Sequence, residues 1–248
     1  MKRLLFLLGI LFLFKNFCFS QIKDSSINIC LVEINYSFQF PFADMSKRFG
    51  VNSTIGAGVT YKLKSNWTFG LEMSYLFGNK VKEDSILRNL KISNGEILNQ
   101  DGEYGEVGLS EIGFYAGFKV GKVFTFNKPN LNSGIIVNLG GGFLQHQIRI
   151  ENKNNNIPSV MGDYKKGYDR LSNGFALRGF IGYQYISNNR FINFYGGIEL
   201  IQAWTQNRRK INFDTMQSDQ TKRNDFLLGI RAGWILPIYK RAPEEYYY

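Results

Sequence analysis

Residues 67–77 read Trp-Thr-Phe-Gly-Leu-Glu-Met-Ser-Tyr-Leu-Phe. Trp67, Phe69, Leu71, Met73, Tyr75 and Phe77 are large and apolar. Thr68, Gly70, Glu72 and Ser74 between them are small or polar, with Leu76 the one exception. A strand turns successive side chains to opposite faces, so this stretch predicts one greasy face and one wet face. The greasy face has aromatic rings at both ends and aliphatic side chains between them. That profile suits a strand crossing a bilayer, with rings at the two interfaces and the wet face turned into a barrel.

Working outward, seven further segments alternate in the same way: 30–40, 51–63, 107–124, 134–150, 174–186, 190–202 and 225–236. In the segment 134–150, Ile135, Val137, Leu139 and Phe143 face outward, but the apolar positions then move to Ile148 and Ile150. This predicts either a bulge or a strand leaving the membrane. The run Gly140-Gly141-Gly142 sits where the pattern weakens and predicts a bend. Short connections at 64–66, 125–132 and 187–189 alternate with longer ones at 41–50, 79–106, 151–173 and 203–224. Short turns on one side and long loops on the other are the arrangement of an outer-membrane barrel. The expected fold class is all-β: a closed antiparallel transmembrane barrel of eight strands, or ten if 79–106 holds a further hairpin.

The N-terminus sets the expected compartment. Lys2 and Arg3 precede an apolar run from Leu4 to Phe14, too short to span as a helix. Cys18 and Ser20 are small residues at the right positions for a cut before Gln21. Residues 1–20 are therefore expected to be a signal peptide. Residues 21–248 are expected to form a single barrel domain ending in a short periplasmic tail at about 240–248. A lipoprotein anchor at Cys18 is disfavoured by Lys15, Asn16 and Phe17 before it. Beyond the cut only Cys30 is left, so no internal disulfide is expected.

The signal peptide, the alternating strands and the unequal connections resemble the small outer-membrane barrels of the OmpA and OmpX type. The ending Phe19-Ser20 before Gln21 and the glycine-plus-aromatic strands resemble the PorT-like barrels. These resemblances imply the outer membrane of a Gram-negative cell. The PorT-like one implies, for some members, a part in protein secretion. They cover the whole chain beyond the signal peptide and rest on architecture, not on a diagnostic motif.

The formal charge of +10 and pI near 9.5 suit anionic lipid or polysaccharide. No basic cluster is interleaved with stacking aromatics, so a nucleic-acid partner is not expected. Gly108-Leu109-Ser110-Glu111-Ile112 lacks the second glycine of a nucleophile elbow, and Gly56-Ala57-Gly58 lacks the helix a nucleotide loop needs. No Cys/His spacing suits a metal. The expectation is a non-enzyme without cofactor or metal. The minority alternative is a lipid A deacylase or acyltransferase built on His146, a histidine otherwise expected at a surface or interface, with Ser110 taken to face inward.

Glu33, Glu72, Glu111 and Glu199 fall on the inner face, as do Lys119, Arg178 and Arg231. Depth counting pairs Glu72 with Lys119, Arg178 with Glu199 and Arg231 with Glu33. Arg208-Arg209-Lys210 is a candidate anion-binding loop for lipopolysaccharide phosphate, with Lys165-Lys166 beside it in role. Tyr246, Tyr247 and Tyr248 form a candidate docking tail for an envelope protein. The function expected is an accessory or structural subunit of a cell-envelope assembly, in secretion or outer-membrane biogenesis. A surface adhesin or binding barrel is the alternative.

Overall fold

The computed structural model describes residues 26–126, 130–153, 157–187 and 191–238. The signal-peptide region and the tail from 239, including Tyr246, Tyr247 and Tyr248, lie outside the described residues. Eight long strands form the wall: β1 Ile29–Phe42, β2 Asn52–Lys62, β3 Trp67–Gly78, β4 Val107–Phe124, β5 Gly134–Asn152, β6 Ser172–Ile186, β7 Asn193–Asn207 and β8 Lys222–Ile238. Each pairs antiparallel with its chain neighbours, and β8 returns to β1, closing the barrel. Closure leaves no unpaired strand edge to face lipid. The segment 79–106 adds only a two-residue ladder, Ile97–Leu98 against Tyr104–Gly105, apart from the barrel. Among the described residues the barrel therefore has eight strands, not ten.

The outer face is the one read from residues 67–77. Leu71, Met73, Leu139, Ile181, Ile198 and Ile230 make an exposed aliphatic band. Tyr61, Trp67, Phe124, Tyr183, Phe194 and Trp234 ring it at the end with short turns. Phe40, Tyr75, Phe77, Phe143, Phe175 and Trp204 ring it at the end with long loops. Such a surface is stable only against lipid, with amphipathic rings at the headgroups. Lys122 places its ammonium 5.4 Å from the Trp67 ring centre, at the turn-end girdle. Asn66 takes a left-handed conformation (φ 63°) in the turn between β2 and β3, which asparagine tolerates well.

The anomaly in β5 has a simple cause. β4 and β5 stay in one unbroken register from Val107↔Asn152 to Phe124↔Ile135, so there is no bulge. The side-chain phase never changes; the chemistry of the two faces does. Ile148 and Ile150 point inward and are buried beneath the loops, where the strand has passed beyond the aromatic ring. The connection 41–50, expected as a loop, contains a short helix, α1, Ala43–Arg48. The seventh strand extends to Asn207, beyond the expected 202, so Arg208 stands at a strand end and not in mid-loop.

The interior is layered. Ile29, Leu31, Val123, Ile136, Ile186 and Ile235 seal the turn end. Charged groups fill the middle. At the loop end an apolar core formed by Met45, Phe49, Leu76, Leu144, Ile148 and Ile201 joins the barrel mouth to the loops.

Candidate functional site: the loop cap and its cleft

Among the described residues, two extended ion-pair networks stand out, one in mid-barrel and one in the loops that borders solvent. In the middle layer Lys119 contacts Glu33 at 2.6 Å and Glu72 at 4.0 Å. Arg178 donates from Nε to Glu199 at 2.7 Å and contacts Glu72 at 3.2 Å. Arg231 contacts Glu72 at 2.9 Å and Glu199 at 3.1 Å. Glu199 also accepts from Ser37 at 2.9 Å and Gln39 at 2.7 Å. Arg178 lies over the Tyr115 ring at 4.9 Å. Three carboxylates and three cations thus form one neutral network in place of three separate pairs.

The expected pair Arg231–Glu33 does not form. Arg231 is opposite Ser37, and Glu33 is opposite Ile235, four residues along β1. At roughly 3.4 Å per residue that offset is too long for a contact. Glu33 takes Lys119 and the Thr60 hydroxyl instead. The void bordered by Glu72, Lys119 and Arg178 has a volume of about 10 Å3, room for about one water molecule.

Above the network, Glu111 accepts from Asn52 at 3.1 Å. His146 is 0% exposed, a correction to its expected place at a surface. Its Nε2 meets Asp225 Oδ2 at 3.0 Å, and Thr205 donates to the same oxygen at 2.5 Å. Ser110 faces outward, on the same face as its register partner Arg149, while neighbouring Glu111 is buried. Ser110 and His146 therefore lie on opposite sides of the wall. Ser172, the register partner of His146, donates its hydroxyl to the Arg170 carbonyl at 3.0 Å and is fully buried. The His–Asp pair is fully buried and links β5 to β8.

The cap is built by four loops clasped in sequence. Arg48, at the end of α1, donates to Glu83 of the second loop at 2.8 Å. Arg170 of the third loop approaches Glu83 at 3.6 Å and pairs with Asp214 of the fourth at 2.7 Å. Burial lowers the Arg48 pKa, with the Glu83 charge opposing, in a group that stays charged. Arg209 donates from Nε to Asp169 at 2.8 Å, and Arg208 donates to Asn173 at 2.6 Å. Only Lys210 of the expected anion-binding run stands exposed and without a hydrogen bond or ion pair among the described residues. The run is not one basic patch, because Arg209 is already neutralised.

Between the second, third and fourth loops the cap carries an open cleft of about 600 Å3. Leu90, Pro158, Tyr164, Tyr168, Phe213 and Met216 form its apolar walls, with Asn89 and Ser159 at polar points. Tyr168 and Phe213 meet edge to face at 5.4 Å. Phe213 is fixed by its N–H to the Gly167 carbonyl at 2.9 Å and by Asn89, which donates to the Phe213 carbonyl at 3.0 Å. Gly167 has to be glycine, since a Cβ there would lie 2.2 Å from the Phe213 ring. Met216, in the left-handed region (φ 54°), is 72% exposed at the lip. Such backbone strain is often found at binding surfaces. Burial, and then the Asp214 carboxylate, raise the Tyr168 hydroxyl above the usual phenol range, so it stays protonated and neutral.

Neither the cleft nor the clasp was read from the sequence, because their parts are far apart along the chain and follow no period. The one signal was aromatic residues beside charges in otherwise polar loops, as in Tyr168-Asp169-Arg170 and Phe213-Asp214.

No protein-family model and no curated protein matches the chain. Among solved structures it is similar to Ail, the attachment invasion locus protein of Yersinia pestis, in complex with the heparin analogue sucrose octasulfate. The identity is 13%, the match covers 85% of this chain and 99% of that one, and the TM-score is 0.41. It is also similar to the N-terminal β-barrel domain of Pseudomonas aeruginosa OprF, at 12% identity, covering 83% and 97%, with a TM-score of 0.36. Likeness at these scores carries no argument about activity. The architecture of a small outer-membrane barrel stands on the strand register itself.

Proposed function

We propose that this chain is a non-catalytic barrel of a Gram-negative outer membrane, exported by cleavage before Gln21, which acts as a surface-binding barrel through its loop cap. The observation that carries this is the filled interior. An apolar layer, a six-charge network and a second apolar core occupy the lumen from end to end. The cleft in the loops is a concave surface of about 600 Å3 among the described residues, and loops held by a rigid scaffold are where binding commonly resides. Lipopolysaccharide is the expected surrounding lipid of the loop-end girdle. The other reading is an accessory role in secretion or outer-membrane biogenesis through loops and tail, of which the tail from 239 lies outside the described residues. The geometry favours the cap.

The test compares a deletion strain complemented with the intact chain, with the chain cut after Arg241, or with Arg170→Ala/Asp214→Ala. Cell adhesion to polymer-coated surfaces is measured, with envelope pull-downs and lipid A mass spectrometry alongside. The intact and cut chains should both restore adhesion, the cap variant should not, and lipid A should be unchanged. Adhesion indifferent to the cap variant would sink the reading. A pull-down partner lost with the tail would put the accessory role in its place.

A further inference from the structure

The side chains bordering the cleft include aromatic, aliphatic, hydroxyl and amide groups, but no ionised one. Of the charges nearby, Arg170 is paired with Asp214 and Lys166 with Asp163, Arg88 donates to the Asp214 carbonyl, and neither Arg88 nor Lys165 is part of the lining. A phosphate, sulfate or carboxylate entering the cleft would lose hydration without gaining a counter-charge, which is costly. The lining therefore favours an uncharged ligand.

The walls also require it to be two-sided. Phe213 and Tyr164 offer ring surface, Tyr164 being 64% exposed. Ser159 and the two tyrosines offer hydroxyls. Tyr168 is only 6% exposed, and its hydroxyl, without a hydrogen-bond partner among the described residues, is not one of the buried orphan atoms and keeps access to the cleft. A buried ring with a free polar tip is suited to a partner that brings both an apolar face and a hydroxyl. A peptide that binds by extending a strand edge is a poor fit. Here the wall is closed, and the Phe213 N–H and the Phe213 and Asp214 carbonyls are already bonded within the cap. A pyranose ring has the matching shape: C–H groups on its faces and hydroxyls around its rim.

We propose that the cleft is a binding site for an uncharged hexose unit of a glycan. This rests on the reading of the cap as the working surface and names its ligand class. A cleft of about 600 Å3 lies within the usual range for small-molecule sites. Tyr164 and Met216 stand at its lip, where a longer glycan could continue out into solvent.

The experiment uses the barrel refolded in a zwitterionic detergent without a sugar headgroup, since a glycoside detergent would compete. Saturation-transfer NMR is recorded with neutral gluco-, manno- and galacto-oligosaccharides, with dextran sulfate, and with an uncharged apolar tripeptide. At least one neutral oligosaccharide should bind, with little dependence on salt. Tyr164→Ala should weaken binding about tenfold, and Tyr168→Phe, which removes only the hydroxyl, by roughly threefold. Retained heat-modifiable migration on gels shows that a variant is folded, and Met216→Ala at the exposed lip gives a third variant with little risk to folding. No binding of any neutral oligosaccharide would overturn the proposal. So would binding of dextran sulfate alone, or of the peptide alone. If it fails while adhesion still depends on the cap, the cap remains the working surface and only the ligand class is wrong. If cap-dependent adhesion fails as well, both readings go.

Discussion

At mid-barrel, Glu33, Glu72 and Glu199 face Lys119, Arg178 and Arg231 from strands hydrogen-bonded on both sides. At the loop end, Arg48, Glu83, Arg170 and Asp214 make a comparable chain of ion pairs, but each sits on a connection. The first network is held by the wall: its groups have nowhere else to go, and their charges are compensated several times over. The second is what holds its own support in place. The same chemistry thus fills the space inside a closed wall in one region and joins separate loops in the other. Disturbing the first should cost global stability, while disturbing the second should cost the form of the cap.

The largest effect is expected at Glu199, which contacts Arg178, Arg231, Ser37 and Gln39. Glu199→Ala leaves two guanidinium groups with Glu72 as their remaining carboxylate. Removing one partner from a buried pair costs about 3–5 kcal/mol. Urea unfolding of the refolded barrel should show a loss of that order, whereas Glu33→Gln at the network's edge should lose clearly less. Equal losses would mean that the six groups act as separate pairs after all.

A middle effect tests how the cap is packed. Gly167→Ala places a methyl group against the Phe213 ring, and overpacking of this kind costs about 1–3 kcal/mol. Because the strain falls on a loop, it should appear as faster proteolysis of the cap at 157–171 and 208–221, with barrel unfolding little changed. A fall in global stability equal to that of Glu199→Ala would erase the distinction between the two regions.

These contrasts follow what could be read from the sequence. The outer face was legible because lipid imposes one rule on every outward residue, and the alternation from Trp67 to Phe77 repeats around the wall. The membership of the middle network was legible for the same reason, since its six residues share the inward phase. The partners were not, because depth counting ignores shear, and β1 and β8 are offset by four residues where Arg231 was matched to Glu33. Ser110 was placed on the wrong face, although its even number sets it with Ile112 and Phe114 outward. His146 shares the phase of Leu144 and Ile148, so its burial was available from parity alone. The cap was illegible for a deeper reason: it joins residues such as 48, 83, 170 and 214, whose proximity is decided by the closed barrel.

A smaller effect is expected for Asp214→Asn. It keeps the shape but removes the charge that meets Arg170, and Arg88 still donates to the Asp214 carbonyl at 3.3 Å. The pair is largely buried, but Arg170 keeps Glu83 at 3.6 Å, so the loss should fall below the roughly 3–5 kcal/mol of a buried charge left without any partner. Hydrogen exchange at 208–221 should rise, and the difference from the parent should shrink in high salt. Exchange in β1 and β7 should not change.

The smallest effect concerns acid and comes from Asp219, in the loop that leads into β8. Burial by itself would raise its pKa. The Thr221 N–H, at 3.0 Å, and the Arg223 guanidinium outweigh burial and bring it from 3.8 to about 2. A carboxyl whose folded pKa lies below its unfolded one stabilises the folded state fully above the unfolded value. That contribution is lost as the pH falls through the folded value. The window is therefore between about 4 and 2, and solvent screening keeps the contribution below about 1 kcal/mol. Asp219 is not part of the clasp, so its protonation should loosen the start of β8 without opening the cleft. Hydrogen exchange at 219–223, measured down through this window, should rise in the parent chain and be nearly flat in Asp219→Asn. Saccharide binding should be unaltered between them. If acid instead released the cleft and this strand entry together, the cap and the wall would be a single cooperative unit, and the contrast between the two networks would fail.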